Sequence, residues 1–166
     1  RRYAYLTLHR PSNVDNKQVL MGLLAAMNAI AEDIPIVFAV HPRTKKQIEK
    51  FELENYLAEK IRCLPPQDYL HNLGLMADAL FVMTDSGGIQ EETTALDVPC
   101  LTLRASTERP ITITDGTNTL VGTDRNDVVA AAKQVLAGER KFGQRPEYWD
   151  GKAAIRIAAI LKDFMT

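Results

Sequence analysis

Short apolar runs alternate with longer segments of helical period along the chain, and this alternation limits the fold more than any other feature. The runs have the length of buried strands and cover residues 3–8, 34–40, 61–65, 79–84, 98–103 and 119–122. The segments between them predict helices over 17–32, 44–53, 68–79, 87–97, 125–137 and 152–164, with a short helix starting at Pro110. Strands and helices in alternation predict an α/β fold in which helices cover both faces of a parallel sheet. A chain of 166 residues has room for one such domain.

The pattern within these segments predicts which parts are buried. Apolar residues recur at helical spacing over 19–31 and 155–161, so both stripes are expected to pack in the core. The segment 9–16, with the sequence HRPSNVDN, is expected to be a polar loop. Cys63 and Cys100 lie in apolar runs without metal-ligand spacing, which indicates buried, reduced thiols rather than a metal site.

Composition excludes several classes of function. The formal net charge of -1 and the lack of a Lys/Arg block exclude a general nucleic-acid binder. No apolar stretch approaches the roughly 20 residues of a membrane span, and no secretory signal is visible, so a cytoplasmic location is expected. The chain begins with Arg1 and enters its first strand at once, which predicts that it is part of a longer protein.

Polar residues collect in the loops that follow the predicted strands. His9 and Arg10 follow the first strand, His41 the second, Ser86 the fourth and Arg104 the fifth. Because parallel strands end at the same edge of a sheet, these loops are expected to share one rim. Ligands of such sheets bind beyond the carboxyl ends of the strands, where the strand order reverses. The rim therefore predicts a binding site.

The stretch TDSGGIQEE, residues 84–92, combines the features of an anion site with those of a sugar site. The amides of Ser86, Gly87 and Gly88 open a helix and lack acceptors within it, and glycine lets a ligand approach the backbone closely. Glu92 follows about one turn later and is placed to accept hydrogen bonds from the hydroxyls of a ribose. Arginines on the same rim suit phosphate oxygens. Together these features predict a nucleoside diphosphate as the ligand.

Each feature also has a simpler interpretation. A Gly-Gly pair forms compact turns, glutamates in a first helical turn complement the helix dipole, and Arg104 and Arg109 are ordinary surface charges in that view. Asp85 is expected to cap backbone amides rather than act as a base. The stretch matches neither a GxxxxGK[ST] loop nor the GxGxxG fingerprint, so both motifs are excluded.

Four motifs closely resemble those of the non-hydrolysing UDP-N-acetylglucosamine 2-epimerases: HRPSNVD (9–15), TDSGGIQEE (84–92), TERP (107–110) and LVGTD (120–124). The resemblance implies two Rossmann-like domains in the glycosyltransferase-B arrangement, with the active site in the cleft between them. This chain matches the carboxyl-terminal half. It is therefore interpreted as a single UDP-binding domain over 1–166, with the N-terminal domain of the parent enzyme absent.

The resemblance also implies roles for single residues. His9 matches a histidine that has a catalytic or substrate-contacting role, and Gln67 is the expected contact to uracil. Asn72 stands where members of the family commonly carry an aromatic residue. The substrate-binding residues implied in this way are Ser86, Gly87, Gly88 and Arg109 on the phosphate side, Glu92 at the ribose, and Gln67, Asn72, His41 and Arg10.

The implied reaction interconverts UDP-GlcNAc and UDP-ManNAc by elimination and re-addition of UDP, with acid and base carboxylates from the N-terminal domain. No cofactor and no metal are expected. The implied partners are UDP-GlcNAc, UDP, the N-terminal domain and a second copy of the parent enzyme in a homodimer. A stand-alone UDP-sugar binding module, a UDP-GlcNAc transferase and an epimerase for another UDP-2-acetamido sugar stay open as alternatives.

Overall fold

A computed structural model describes residues 3–165 of the chain. Its six strands are β1 (Ala4–Thr7), β2 (Ile36–Ala39), β3 (Ile61–Leu64), β4 (Val82–Thr84), β5 (Cys100–Thr102) and β6 (Asn118–Leu120). The helices are α1 (Pro11–Val14), α2 (Lys17–Ala31), α3 (Pro42–Lys50), α4 (Tyr69–Asp78), α5 (Gly87–Ala95), α6 (Ile111–Thr114), α7 (Arg125–Leu136) and α8 (Ala153–Met165). A 3-10 turn covers Glu54–Tyr56. The predicted strands and long helices are confirmed, and no end is shifted by more than three residues.

The strands form one parallel sheet in the order β3-β2-β1-β4-β5-β6. At its centre, Leu6 of β1 pairs with Phe38 of β2 on one side and with Met83 of β4 on the other. The chain builds the sheet outward from β1 first in one direction and then in the other. The strand order therefore reverses between β1 and β4, and the crevice beyond their carboxyl ends is the expected ligand position.

Helices cover both faces of this sheet, which confirms the predicted fold class. Successive residues of β1 point to opposite faces, so Ala4 and Leu6 join one buried cluster and Tyr5 the other. The larger cluster lies under α2 and α7. The smaller one includes Met76 of α4 and Ile89 of α5. Burial on both faces explains why the strands read as nearly continuous apolar runs.

Side-chain caps explain where the long helices begin. Asn16 accepts hydrogen bonds from two amides in the first turn of α2, and Asp68 and Asp124 cap α4 and α7 in the same manner. Pro42 lies in the first turn of α3, where its missing N–H costs nothing. The start of α5 differs, because its N-cap Ser86 makes no side-chain hydrogen bond to the helix.

Two predictions about burial near the strands are wrong. The segment 9–16 is not a plain loop, because Pro11 starts the short helix α1 and its residues Asn13 and Val14 are buried. Cys63 is exposed rather than buried, since β3 is an edge strand with a neighbour on one side only. Cys100 lies on β5 within the sheet and is buried as predicted, and both cysteines are free thiols.

The prediction that the stripe 155–161 packs in the core is also wrong. None of the residues of α8 is buried, and Ile155 and Ile160 are 69% and 66% exposed. An apolar stripe predicts that a helix has a face to bury, but it does not show which surface covers that face. No such surface lies within residues 3–165. None of the described helices is long and apolar enough to cross a membrane.

Candidate functional site

Asp85 organises the rim at the point where the strand order reverses. Its side chain is fully buried at the end of β4 and accepts hydrogen bonds from the backbone amides of His9 and Arg10 at 2.9–3.1 Å. The side-chain amide of Asn13 donates to the same carboxylate at 3.1 Å and to the Leu103 carbonyl oxygen at 2.9 Å. One carboxylate thus joins the loops after β1 and β4, which confirms that Asp85 caps backbone amides.

His9 and His41 form a pair beside this carboxylate. The His9 Nδ1 atom lies 3.1 Å from Asp85 Oδ1, and the two imidazole rings are 5.3 Å apart. His41 caps α3, where its Nδ1 atom accepts a hydrogen bond from the Arg43 amide. Partial burial lowers the pKa of His41, and the neighbouring His9 lowers it further. The pair therefore combines an imidazole whose pKa is lowered with one that a buried carboxylate orients.

The amino end of α5 lies next to this pair on the rim. The helix begins at Gly87, so the amides of Gly87, Gly88 and Ile89 have no acceptor within it. The Ser86 amide donates instead to the Thr84 hydroxyl at 3.0 Å. Free amides and the helix dipole together favour an anion at this position.

The position at which α5 begins corrects the expectation that its glutamates lie in the first turn, and it explains why residue 87 is a glycine. The glutamates 91 and 92 lie in the second turn of α5, because the helix begins four residues before the first of them. Among the glycines within residues 3–165, φ is positive at Gly122, Gly138 and Gly151 but not at Gly87. A Cβ atom added to Gly87 would lie 3.1 Å from the Glu108 Oε1 atom. Glycine at this position therefore permits a close approach of an anion to the backbone and is not needed for backbone conformation.

A carboxylate from the loop after β5 already lies at this position. The Glu108 Oε1 atom is 2.7 Å from Arg10 Nη2, and its Oε2 atom is 2.7 Å from Arg104 Nη2. The hydrogen bond from Arg104 lowers the pKa of Glu108 to about 2. Arg104 is no ordinary surface charge, since its side chain is only 12% exposed. Two guanidinium groups thus face the start of α5.

Gln90 fixes the backbone of the loop that carries Glu108. Its fully buried side chain donates to the Ser86 carbonyl oxygen at 3.0 Å and accepts from the Thr107 hydroxyl at 2.6 Å. The Thr107 hydroxyl also accepts a hydrogen bond from the Arg109 amide at 3.0 Å. The loop is therefore attached to α5 through Thr107, and the Arg109 amide is held within the loop by the same hydroxyl.

The second turn of α5 carries two glutamates in different environments. Glu91 Oε1 forms an ion pair with Arg109 Nε at 2.7 Å. Burial, and then the charge of Glu91, raise the pKa of Glu92. The Tyr5 hydroxyl donates a short hydrogen bond to Asn72. Burial is the main cause that raises the pKa of Tyr5 to about 12, and the charge of Glu92 contributes. Glu92 and Asn72 thus share Tyr5 as a neighbour.

The structure brings most of the predicted site residues to the rim. His9, Arg10 and His41 meet around Asp85, and Glu92 and Asn72 meet around Tyr5. Ser86, Gly87 and Gly88 form the start of α5, and Arg109 pairs with the helix one turn later. Gln67 is less connected, because its amide donates to the nearby Pro65 carbonyl oxygen at 2.7 Å.

Sequence reasoning missed the contributions of Tyr5, Asn13 and Glu108 to this site. In the sequence, Tyr5 is one more residue of a predicted apolar strand. Asn13 lies in the HRPSNVD motif, but its contact to Asp85 spans 72 positions. Glu108 lies in the TERP motif, and its spacing of four residues from Arg104 on the rim was the signal that could have identified it.

Comparisons with known proteins show which family this fold and sequence belong to. The family model "UDP-N-acetylglucosamine 2-epimerase" matches residues 1–162. The UDP-N-acetylglucosamine 2-epimerase of Methanocaldococcus jannaschii is 42% identical over 163 residues, which cover 96% of this chain and 44% of that protein. A crystal structure of the M. jannaschii UDP-GlcNAc 2-epimerase in complex with UDP-GlcNAc and UDP aligns with a TM-score of 0.88 at 42% identity, over 97% of this chain and 45% of that one.

Two further proteins show the breadth of the likeness. UDP-2,3-diacetamido-2,3-dideoxy-D-glucuronate 2-epimerase of Pseudomonas aeruginosa is 35% identical, over 93% of this chain and 43% of its own length. The E. coli heptosyltransferase WaaC with ADP is similar in fold alone, with a TM-score of 0.56 and 18% identity over 83% of this chain and 44% of that one. The chain therefore spans less than half the length of the relatives that it matches.

A doubly wound parallel sheet with free helix amides and arginines at its switch point defines an α/β domain built to bind an anionic ligand. The match over residues 1–162 then identifies the family. This chain belongs to the UDP-N-acetylglucosamine 2-epimerase family.

Proposed function

We propose that this chain is the UDP-binding part of an enzyme that interconverts UDP-GlcNAc and UDP-ManNAc by elimination and re-addition of UDP. The observation that carries the proposal is the start of α5, where Gly87 opens the helix beside the Glu108 carboxylate that Arg10 and Arg104 hold. A diphosphate would replace that carboxylate and accept the same hydrogen bonds. Preorganised donors of this kind stabilise negative charge on a departing group.

In the proposal, the ligand runs across the rim from the phosphates to the base. Arg109 contacts the phosphate side, and Glu92 accepts hydrogen bonds from the ribose hydroxyls. The raised pKa of Glu92 fits a half-buried carboxylate that forms no ion pair within residues 3–165, and two hydroxyl donors would stabilise its charged form. Asn72 and Gln67 lie toward the uracil. His9 and His41, beside the Asp85 carboxylate, are assigned to the reacting sugar.

The proposal includes a second domain that supplies the catalytic carboxylates. The relatives are more than twice as long as this chain, which covers 44% of the M. jannaschii protein. The exposed apolar side chains of α8, among them Ile155, Ile160 and Phe164, form the kind of surface that another domain covers. A homodimeric parent enzyme and a cytoplasmic location stay predictions, the latter in keeping with two free cysteines.

Binding of UDP should exceed binding of UMP about tenfold or more, since one charge-assisted hydrogen bond contributes about 1.5–3 kcal/mol. The reason is that UDP places a second phosphoryl group against the amides of α5 and the arginines. Titration calorimetry of the chain with both nucleotides measures the difference. Equal affinities would contradict the diphosphate assignment, and binding of neither would contradict the proposed function.

Gly87→Val is expected to weaken UDP binding by about tenfold or more and to leave the fold intact. A Cβ atom would occupy the space next to the Glu108 carboxylate, where the proposal places a phosphate oxygen. The residue has no positive φ to lose, so the free energy of unfolding should change by less than about 1 kcal/mol. Urea unfolding and calorimetry measure the two effects.

Gly74→Ala provides the matched control for this substitution. Gly74 lies on α4 with nothing within 4 Å of an added Cβ atom, so UDP binding should not change. A helical alanine should even raise stability by about 0.5–1 kcal/mol. Unchanged UDP binding by Gly87→Val, or equal losses in both variants, would remove Gly87 from the ligand site.

A second candidate function is epimerisation of a different UDP-2-acetamido sugar. The P. aeruginosa relative, at 35% identity, is a UDP-2,3-diacetamido-2,3-dideoxy-D-glucuronate 2-epimerase. The residues of this chain face the UDP portion in the proposal, so they do not decide between the two sugars. Activity of the longer protein on each UDP-sugar separates the candidates.

A further inference from the structure

We propose that Glu108 is an internal anion that occupies the diphosphate position at the start of α5 and must swing out before a ligand binds there. The proposal rests on the proposed function, because it takes the start of α5 as the diphosphate site. It assigns to Glu108 control over ligand affinity, which makes it a specificity-determining residue rather than a catalytic one.

The position of the carboxylate supports this role. Glu108 Oε1 lies 3.1 Å from the place where a Cβ atom of Gly87 would be, so it fills the space that glycine leaves open. Its two oxygens each lie 2.7 Å from a guanidinium nitrogen, one on Arg10 and one on Arg104. A phosphoryl group beside Gly87 would meet the same two guanidinium groups. The carboxylate thus satisfies, from within the chain, the cations that a ligand would use.

The surroundings of Glu108 allow the side chain to leave while its backbone stays in place. The side chain is 44% exposed, so solvent is available for the displaced carboxylate. Hydrogen bonds from the Thr107 hydroxyl to Gln90 and from the Arg109 amide to Thr107 attach the backbone on both sides. Arg10 is fixed independently of Glu108, because its Nε atom donates to the Asp85 carbonyl oxygen at 2.9 Å. Rotation of one side chain therefore opens the site.

Charge decides which ligands can displace this group. With Arg10 and Arg104 holding the carboxylate, the pKa of Glu108 is about 2, so protonation does not release it at neutral pH. A ligand must offer the two arginines more negative charge than the single carboxylate does. A diphosphate meets this requirement, whereas a singly charged anion does not. Removal of the carboxylate charge should therefore improve the binding of every anion that uses the site.

The test compares the wild-type chain with Glu108→Gln, which keeps the size of the side chain and removes its charge. Titration with UDP and with inorganic pyrophosphate should show about three- to tenfold tighter binding of both to the variant, the range expected from the loss of two partly exposed ion pairs. Glu32→Gln is the control, because it removes the same charge at the exposed end of α2, at the opposite edge of the sheet, and should change neither affinity.

The outcomes separate this inference from the proposed function. Weaker or unchanged binding of both anions by Glu108→Gln would overturn the inference and show that Glu108 positions the arginines for the ligand. If UDP bound no more tightly than pyrophosphate, the uridine part of the proposed function would be contradicted. The affinities of the wild-type chain and of Glu108→Gln for pyrophosphate would still decide the role of Glu108. Binding of neither anion to either protein would overturn both.

Discussion

Replacing Asp85 by alanine is expected to lower the free energy of unfolding by about 3–5 kcal/mol, because a fully buried, hydrogen-bonded carboxylate would be removed from its partners. The amides of His9 and Arg10 and the side chain of Asn13 would each lose an acceptor. Unsatisfied buried donors cost about 1–3 kcal/mol each. Urea unfolding of the chain measures the loss.

Asp78→Ala is the matched control for Asp85→Ala. Asp78 is exposed in the last turn of α4, where a negative charge is unfavourable to the helix dipole. Its removal should change the free energy of unfolding by no more than about 0.5 kcal/mol. A loss of similar size in the two variants would show that water replaces the Asp85 carboxylate and that the rim does not depend on it.

The chain alone should not catalyse exchange of the C2 proton of UDP-GlcNAc with solvent, whereas the longer protein should. The carboxylates at the site are committed elsewhere: Asp85 to backbone amides, Glu108 to two arginines and Glu91 to Arg109. Glu92 lies beside Glu91 on the same helix rather than across a sugar from it. No pair of carboxylates within residues 3–165 is therefore placed to work on opposite faces of C2. Proton NMR in deuterated water measures the exchange.

In the longer protein, His9→Ala should lower kcat by about 10²–10⁴-fold, the usual contribution of a positioned acid–base group. Asp85 orients the His9 ring through the contact at 3.1 Å, so UDP affinity should change far less than turnover. His71→Ala is the control, because His71 is exposed on α4 and paired with Asp68. If the chain alone catalysed exchange of the C2 proton, the base would lie within this chain. An unchanged kcat for His9→Ala would remove His9 from the reaction.

The sequence was sufficient to predict the fold class and the edge of the sheet on which the candidate site lies. Strand and helix are local properties, and both the short apolar runs of buried strands and the 3.6-residue period of helices are visible in the order of apolar residues. Once the sheet is parallel, the carboxyl ends of its strands must meet at one edge. His9, His41 and Ser86 therefore had to share a rim, whatever the details of their contacts.

Contacts between distant loops could not be predicted from the sequence. Arg10 and Glu108 are 98 positions apart, and nothing in the period of either segment predicts that their side chains meet over Gly87. The same limit applies to burial. The stripe of α8 and the apolar run around Cys63 both predict a core, yet burial depends on what packs against a surface and not on the pattern of that surface. The sequence by itself thus determined the strands, the long helices, their order along the chain and the rim on which the candidate site lies. Only the tertiary structure decided which charges meet on that rim, because a contact between two side chains depends on the positions of both backbones.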